Sequence, residues 1–265
     1  MDSFIEKNRT NMKELNIITI WYNEERNLHK LYRSLDLCND SCQVRKIYID
    51  QSSNDKSVFI AEEYWCETYI YPNKWYADPD KKRAVENLCH DDDWILILDA
   101  DEEVTRELAN EIHIFMQWKQ EIGNILIRSI ILWWFWWEAY QPRLFQKKAV
   151  ELTNEIHNYI SLKSKKVTNL KNPIINNDLK YKWKEIEVML EKTNRYTSKE
   201  VDKIWDISLF VIYLKIIFMP LIRFFYFLLK HKQILRGLNW IIFSMIMAYY
   251  QFLIYAKIYE KKHHK

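Results

Sequence analysis

Four short apolar runs, each closed by a polar turn, constrain the fold of this chain more than any other feature. Leu15 to Trp21 (LNIITIW) reads as a buried strand that turns through Tyr22-Asn23-Glu24-Glu25 into a helix over about 26–37. Val44 to Ile49 ends on Asp50, and the capping-rich loop Gln51-Ser52-Ser53-Asn54-Asp55 leads into a helix over about 57–65. Thr68 to Tyr71 is a short third strand, Lys81 to Leu88 a helix, and Trp94 to Leu98 a fourth strand. Strands alternating with helices imply a mostly parallel sheet with helices on its faces, an α/β fold. Asp50 and Asp99 then end two strands on one edge.

The fourth run carries the chemistry. Trp94-Ile95-Leu96-Ile97-Leu98 is apolar throughout, as a strand buried on both faces is, and it stops on Asp99-Ala100-Asp101. Alternate side chains of an extended chain share a face, so the two carboxylates project together at the strand's carboxyl end, where open α/β sheets bind ligands. Two hard oxygen ligands suit Mg²⁺ or Mn²⁺ shared with a ligand's phosphates. The competing reading is an acidic, solvated loop.

Glycine is nearly absent. The two present, Gly123 and Gly237, cannot build a G-x-G-x-x-G loop or a P-loop, which excludes classical dinucleotide-binding dehydrogenases and P-loop NTPases. Any phosphate must be held by metal and side chains, and turns with φ > 0 are expected to use Asn and Asp. The 39 basic and 36 acidic residues balance too closely to announce a nucleic-acid partner. Cys38, Cys42, Cys66 and Cys89 form no CxxC or Cys/His set and read as reduced, mostly buried thiols. The opening MDSFIEKNRTNMKEL lacks an apolar core of the signal-peptide kind, so the bulk of the chain is expected in the cytoplasm.

Thr105 to Lys119 has helical spacing behind a capping Thr, and Ile125 to Leu132 reads as a strand. The five aromatics from Trp133 to Trp137 cannot all face one core, so some are expected on an exposed loop, suited to sugar faces or a membrane surface. Arg143-Leu144-Phe145 and Glu155-Ile156-His157 follow as short extended pieces, with Glu155 and His157 on one face. From Ile204 the chain turns apolar. Ile204 to Leu229 carries Lys215 and Arg223 and is expected to kink or divide at Pro220. Lys230-His231-Lys232 and Arg236 precede an uncharged run from Gly237 to Ala256, long enough to cross a bilayer of about 30 Å. The basic cluster beside apolar helices favours a membrane surface with anionic headgroups. Whether these helices cross, lie flat or pack between protomers of a homo-oligomer is open at this level.

With the strand-terminal acids placed, the chain resembles family 2 glycosyltransferases of the GT-A fold, in particular the bacterial lipopolysaccharide-core β-glucosyltransferases. The resemblance covers most of the chain. Ile18 to Asn27 (ITIWYNEERN) is similar to the family's opening strand and N-E-E-x-N turn, and Asp50 to Asp55 (DQSSND) to its D-S-G-S-T-D segment. Lys82 to Asn87 followed by Trp94 to Glu103 resembles K-R-x-A-L-E-N…D-W-I-L-x-L-D-A-D-E. Arg143-Leu144-Phe145, Ile156-His157 and Asn194-Arg195-Tyr196 with Glu200 match later positions. The chain has His157-Asn158 where the family has His-Glu, and Asn176-Asn177-Asp178 where a His is usual.

The resemblance implies a GT-A domain over 1–200, with a nucleotide-binding sheet, and the apolar helices with their basic cluster make 201–265 an expected helical membrane-associating region. It implies inverting transfer from a UDP-sugar, glucose for preference, to a saccharide or lipid-linked hydroxyl at the cytoplasmic face of the inner membrane. Asn23, Glu24, Asp50 and Arg83 would serve the donor, Asp101 the metal, and Asp99 the ribose or the metal. Glu155 and His157 are the candidates for general base, and Arg195 and Tyr196 would pack the substrate side. The alternative is a sugar-nucleotide-binding protein without transfer, which the substituted acceptor motif allows. A nucleotidyltransferase would usually carry a glycine-rich N-terminal loop that this chain lacks.

Overall fold

The structure, a computed structural model, describes residues 14–39, 42–73, 77–118, 121–131, 135–153, 160–176, 185–201, 207–229 and 238–263 of the chain. Two compact units divide it: Met1–Ile130 with Trp136–Lys180, and Ile131–Phe135 with Tyr181–Lys265.

In the first unit, β1 (Glu14–Trp21), α1 (Glu25–Asn39), β2 (Gln43–Asp50), α2 (Ser57–Glu63), β3 (Glu67–Ile70), α3 (Asp78–Leu88) and β4 (Trp94–Leu98) alternate as the apolar runs predict. β5 (Glu102–Val104), α4 (Arg106–Gln117), β6 (Ile122–Ile131) and β7 (Phe135–Gln146) follow, then the short strands β8 (Val150–Leu152), β9 (Ile160–Leu162), β10 (Val167–Asn169) and β11 (Ile174–Asn176). The main sheet runs β3-β2-β1-β4-β7-β6-β11-β5, with β10 also on β6, while β8 and β9 pair separately. β1, β2, β3 and β4 are parallel, and β7 joins β4 antiparallel.

The parallel half is buried on both faces because its strands alternate their side chains. Trp94, Leu96 and Leu98 meet Leu31, Leu35, Leu108 and Ile112 from α1 and α4 on one side. Ile95 and Ile97 meet Ala84 and Val85 from α3 on the other. Thr105 caps α4 as expected, its hydroxyl accepting from the Leu108 N–H at 3.2 Å. Gly123 marks a close approach: a Cβ there would stand 2.8 Å from Leu170 Cδ1 and 3.3 Å from Phe115 Cε1. All four cysteines are free, and burial pushes the Cys38 thiol up to about 12, so it is unreactive near neutrality.

Phe135, Trp136 and Trp137 open a long strand, in keeping with the strand preference of aromatic residues; their side chains and residues 132–134, on which the expected exposed loop falls, lie outside the described part. Two expectations change. Among the described residues, only one of three non-glycine positions at positive φ is an Asn; Asn23 is joined by Ser52 and Trp65. Pro220 does not divide its helix, which runs unbroken over Leu209–Leu229.

The second unit holds α5 (Glu185–Val201), α6 (Leu209–Leu229) and α7 (Leu238–His263). α5 packs on α7, so residues 185–201 group with the apolar helices. Lys257 of α7 lies 2.6 Å from the Asn194 carbonyl, 2.7 Å from its side-chain oxygen, and within 2.9 Å of Thr197 and Ser198. The Tyr250 hydroxyl donates to Glu200 at 2.5 Å.

Candidate functional site

The strand order places the site. β1 is flanked by β2 on one side and β4 on the other, with Trp21 in register with Asp50 and Thr19 with Leu98. The chain leaves β1 in one direction for β2 and β3 and returns on the other side for β4. The carboxyl edge at β1 and β4 is therefore a topological switch point, where the loops diverge and open a crevice. The residues after β1, β2 and β4 all emerge there.

The first two loops are laced together. Asn23, at φ 55°, exchanges side-chain and backbone hydrogen bonds with Asn54 (2.7 and 2.9 Å), and its N–H donates to the Ser53 hydroxyl at 2.9 Å. The Glu24 N–H donates to Ser57 at 2.7 Å, while the Glu24 carboxylate accepts from Asn27 at 2.7 Å. Asp50 is buried, one oxygen accepting from the Tyr48 hydroxyl at 3.1 Å and the other from the Ser53 N–H at 2.8 Å. Ser52 takes φ 59° where the resembling segment has glycine, and its hydroxyl donates to the Tyr71 carbonyl at 2.9 Å. Gln51 donates to Asp80 at 2.6 Å, tying this loop to the first turn of α3. In this state Asn23, Glu24 and Asp50 spend hydrogen bonds on the shape of the edge.

The third loop is the Asp99-Ala100-Asp101 turn between β4 and β5. Lys81, buried on α3, donates to one Asp99 oxygen at 2.8 Å. Arg143 of β7 donates to the other at 3.1 Å and to Glu102 at 2.9 Å, and reaches the Ile97 carbonyl at 3.4 Å. Glu102 completes the turn, its second oxygen accepting from the Asp99 N–H at 2.8 Å. Burial alone would raise the Asp99 pKa, but Lys81 and Arg143 outweigh it and hold the carboxyl well below the usual range. Glu102 goes the other way: burial, helped by the Asp99 charge, pushes it up to about 7 against the pull of Arg143.

The paired acids are thus unequal. Both oxygens of Asp99 accept from cations, whereas Asp101 sits half-buried in the turn. Among the described residues no three His, Cys, Asp or Glu side chains gather as a metal cluster. Asp101 alone suits a hard divalent ion that takes its remaining ligands from a bound diphosphate, the coordination Mg²⁺ favours. Asp99 as a second ligand would have to exchange Lys81 or Arg143.

Arg83, expected at the donor, is exposed on α3 with its guanidinium 4.2 Å above the Tyr71 ring. The residues that sequence reasoning passed over are Lys81, Glu102 and Arg143 as partners of the turn. The signal was the run Lys81-Lys82-Arg83: successive helical positions are 100° apart, so one cation of the three faces the strand ends. Glu155 and His157 lie outside the described residues. Asn194 and Glu200 belong to the second unit, where they hold α7.

No protein-family model matches the chain. Over 264 residues it is 26% identical to an uncharacterized glycosyltransferase of Rickettsia bellii, a match covering 94% of this chain and 87% of the relative. A shorter match to the uncharacterized glycosyltransferase RC0292 of Rickettsia conorii is 30% identical over 151 residues, 56% of this chain and 50% of that one. Among solved structures, residues 1–349 of S. aureus TarS in complex with UDP align at 14% identity over 94% of this chain and 92% of that one, with a TM-score of 0.48.

Proposed function

We propose that this chain is a GT-A type glycosyltransferase that moves a sugar, glucose for preference, from a UDP-sugar to a hydroxyl of a saccharide or lipid-linked acceptor in cell-envelope glycan synthesis. The observation that carries the reading is the Asp99-Ala100-Asp101 turn at the switch-point edge, braced by Lys81, Arg143 and Glu102. Relatives spanning nearly the whole chain and named glycosyltransferases support it. UDP is the preferred nucleotide because the segment around Asp50 resembles the one that meets uracil and ribose in the family.

In the inverting reaction the acceptor oxygen bonds the anomeric carbon as the bond to the nucleoside diphosphate breaks, and the acceptor proton passes to a base. A bound Mg²⁺ or Mn²⁺ would supply positive charge beside the leaving diphosphate. In this reading Asp101 holds that ion. Lys81 and Arg143 fix Asp99, which would accept a ribose hydroxyl, or join the ion's ligands by exchanging one of those cations. Glu155 or His157 takes the proton, a role that requires hydrogen-bond reach of the acceptor hydroxyl.

The test is sugar transfer by full-length protein to a crude envelope lipid extract. Wild type is expected to turn over, and Asp101→Asn to fall by about 10²-fold or more, as when a group stabilising transition-state charge is lost. Unchanged turnover in Asp101→Asn rejects the assignment. UDP-sugar binding without transfer or donor hydrolysis would favour the binding-protein alternative.

A further inference from the structure

α6 and α7 form an antiparallel pair. Tyr213 lies against Tyr259, the Lys215 ammonium is 5.1 Å from the Tyr255 ring centre, and the Trp240 N–H donates to the Phe227 carbonyl at 2.7 Å. That last bond satisfies one of the carbonyls a helix leaves open in its final turn. Ser244 is buried and donates to the Trp240 carbonyl at 2.8 Å. The Lys215 ammonium, the Trp240 N–H and the Ser244 hydroxyl therefore turn inward or back onto the backbone.

The outward side is different. From Leu209 to Leu229 every exposed position of α6 is Leu, Phe, Tyr or Ile, in adjacent pairs repeating every four residues, for example Ile217 with Phe218 and Leu221 with Ile222. At 100° per residue these positions sweep more than half of the helix circumference. Lys215 and Arg223 are both half-buried, and the Lys215 ammonium turns to the Tyr255 ring of α7. On α7 the exposed residues are likewise uncharged as far as Phe252, and exposed charge begins at Glu260.

We infer that the α6–α7 pair crosses the hydrocarbon core of a phospholipid bilayer, its uncharged arc facing lipid and its basic ends lying among anionic headgroups. A helix lying flat on a membrane shows water a charged face, whereas no charged residue is among the exposed positions of α6. A second copy of the chain would cover one stripe and leave the rest of so wide an arc in water. The length fits: 21 residues span about 31 Å at 1.5 Å each, against a core of about 30 Å. So does the charge: Lys230, Lys232 and Arg236 follow α6 in the sequence, and Lys261 and Lys262 close α7. The inference rests on the helices alone and stands whether or not the chain transfers sugar.

The experiment places nitroxide labels on the full chain at Phe210→Cys, Ile217→Cys and Leu229→Cys, each in a Cys66→Ser background. The protein is reconstituted in vesicles of phosphatidylethanolamine with phosphatidylglycerol, and label depth is read from collisions with oxygen and with a water-soluble nickel chelate. All three sites are exposed, so labels there leave packing intact. The expected profile puts Ile217 deepest, rich in oxygen and shielded from nickel, with Phe210 and Leu229 shallower. Equal depth along the helix would mean it lies flat and overturns the inference. Shielding from both reagents would mean a protein partner, and access of nickel to Ile217 would mean water; either result overturns it too.

Discussion

Trp65 shows how a single side chain carries a backbone cost. It follows α2 at φ 59°, with its N–H donating to the Glu62 carbonyl at 3.0 Å and the next N–H, of Cys66, to the Ala61 carbonyl at 3.1 Å. That is the Schellman ending in which glycine is usual, because a Cβ resists the left-handed conformation. The indole is 91% exposed and gives little packing in return. Trp65→Gly should therefore stabilise the fold by about 0.5–1 kcal/mol net of glycine's greater freedom when unfolded, read as a higher urea midpoint. Arg143 is the opposite case. It is the cation shared by buried Glu102 and Asp99, so Arg143→Ala should cost about 3–5 kcal/mol by stranding buried charge, and the same titration reads it.

The two acids of that cluster make opposed contributions to pH dependence. Asp99 is held below its unfolded pKa, so its contribution is present above about pH 4 and is lost as the pH falls further. Glu102 is raised from 4.5 to about 7: folded protein keeps a proton that unfolded protein has released, so stability declines as pH rises from 4.5 to 7. Subtracting the profile of Glu102→Gln from that of wild type should expose this decline. A difference that is flat or rises with pH over that interval would show that Arg143 keeps Glu102 ionised.

At the scale of elements, the buried strands and their order of appearance were legible, because period-two burial and helical spacing are local properties of the chain. Trp94 to Leu98 was expected as a strand and is one to the residue. What sequence could not supply was partnership across the sheet. β5 is three residues long and exists by pairing with β11, where Ile174 faces Val104 from seventy residues away. Lys81 becomes a partner of Asp99 only when α3 packs beside the end of β4, and Arg143 only when β7 joins β4 antiparallel. The resemblance drew attention to Arg83, two residues and 200° round the helix from the cation that meets the turn. Gly123 belongs to this scale as well. Leu170 and Phe115 are buried against it, so Gly123→Ala should cost about 1–3 kcal/mol through overpacking between β6, α4 and the segment after β10, measured by thermal unfolding.

At the scale of the whole molecule, two units with different surfaces emerge from one sequence. The first buries its strands and keeps its candidate site residues Asn23, Asp50, Asp99 and Asp101 at one sheet edge. The second turns apolar residues outward, the kind of surface that marks an interaction site. The boundary expected near residue 200 would cut α5 away from α7, severing the contacts of Lys257 and Tyr250. A chain stopped after Ser198 should therefore be less soluble than one stopped after Lys180, where the first unit ends.

The claim on which the functional account turns is that the Asp99-Ala100-Asp101 edge grips a sugar nucleotide through a divalent ion held by Asp101. Isothermal titration of UDP-glucose into the full-length protein, with and without Mn²⁺, tests it directly in wild type and in Asp101→Asn. The account predicts binding at least about tenfold tighter with Mn²⁺ and loss of that gain in the variant, with weak metal-independent binding retained. Equal affinity with and without the ion in wild type, or a gain that survives in Asp101→Asn, would contradict it.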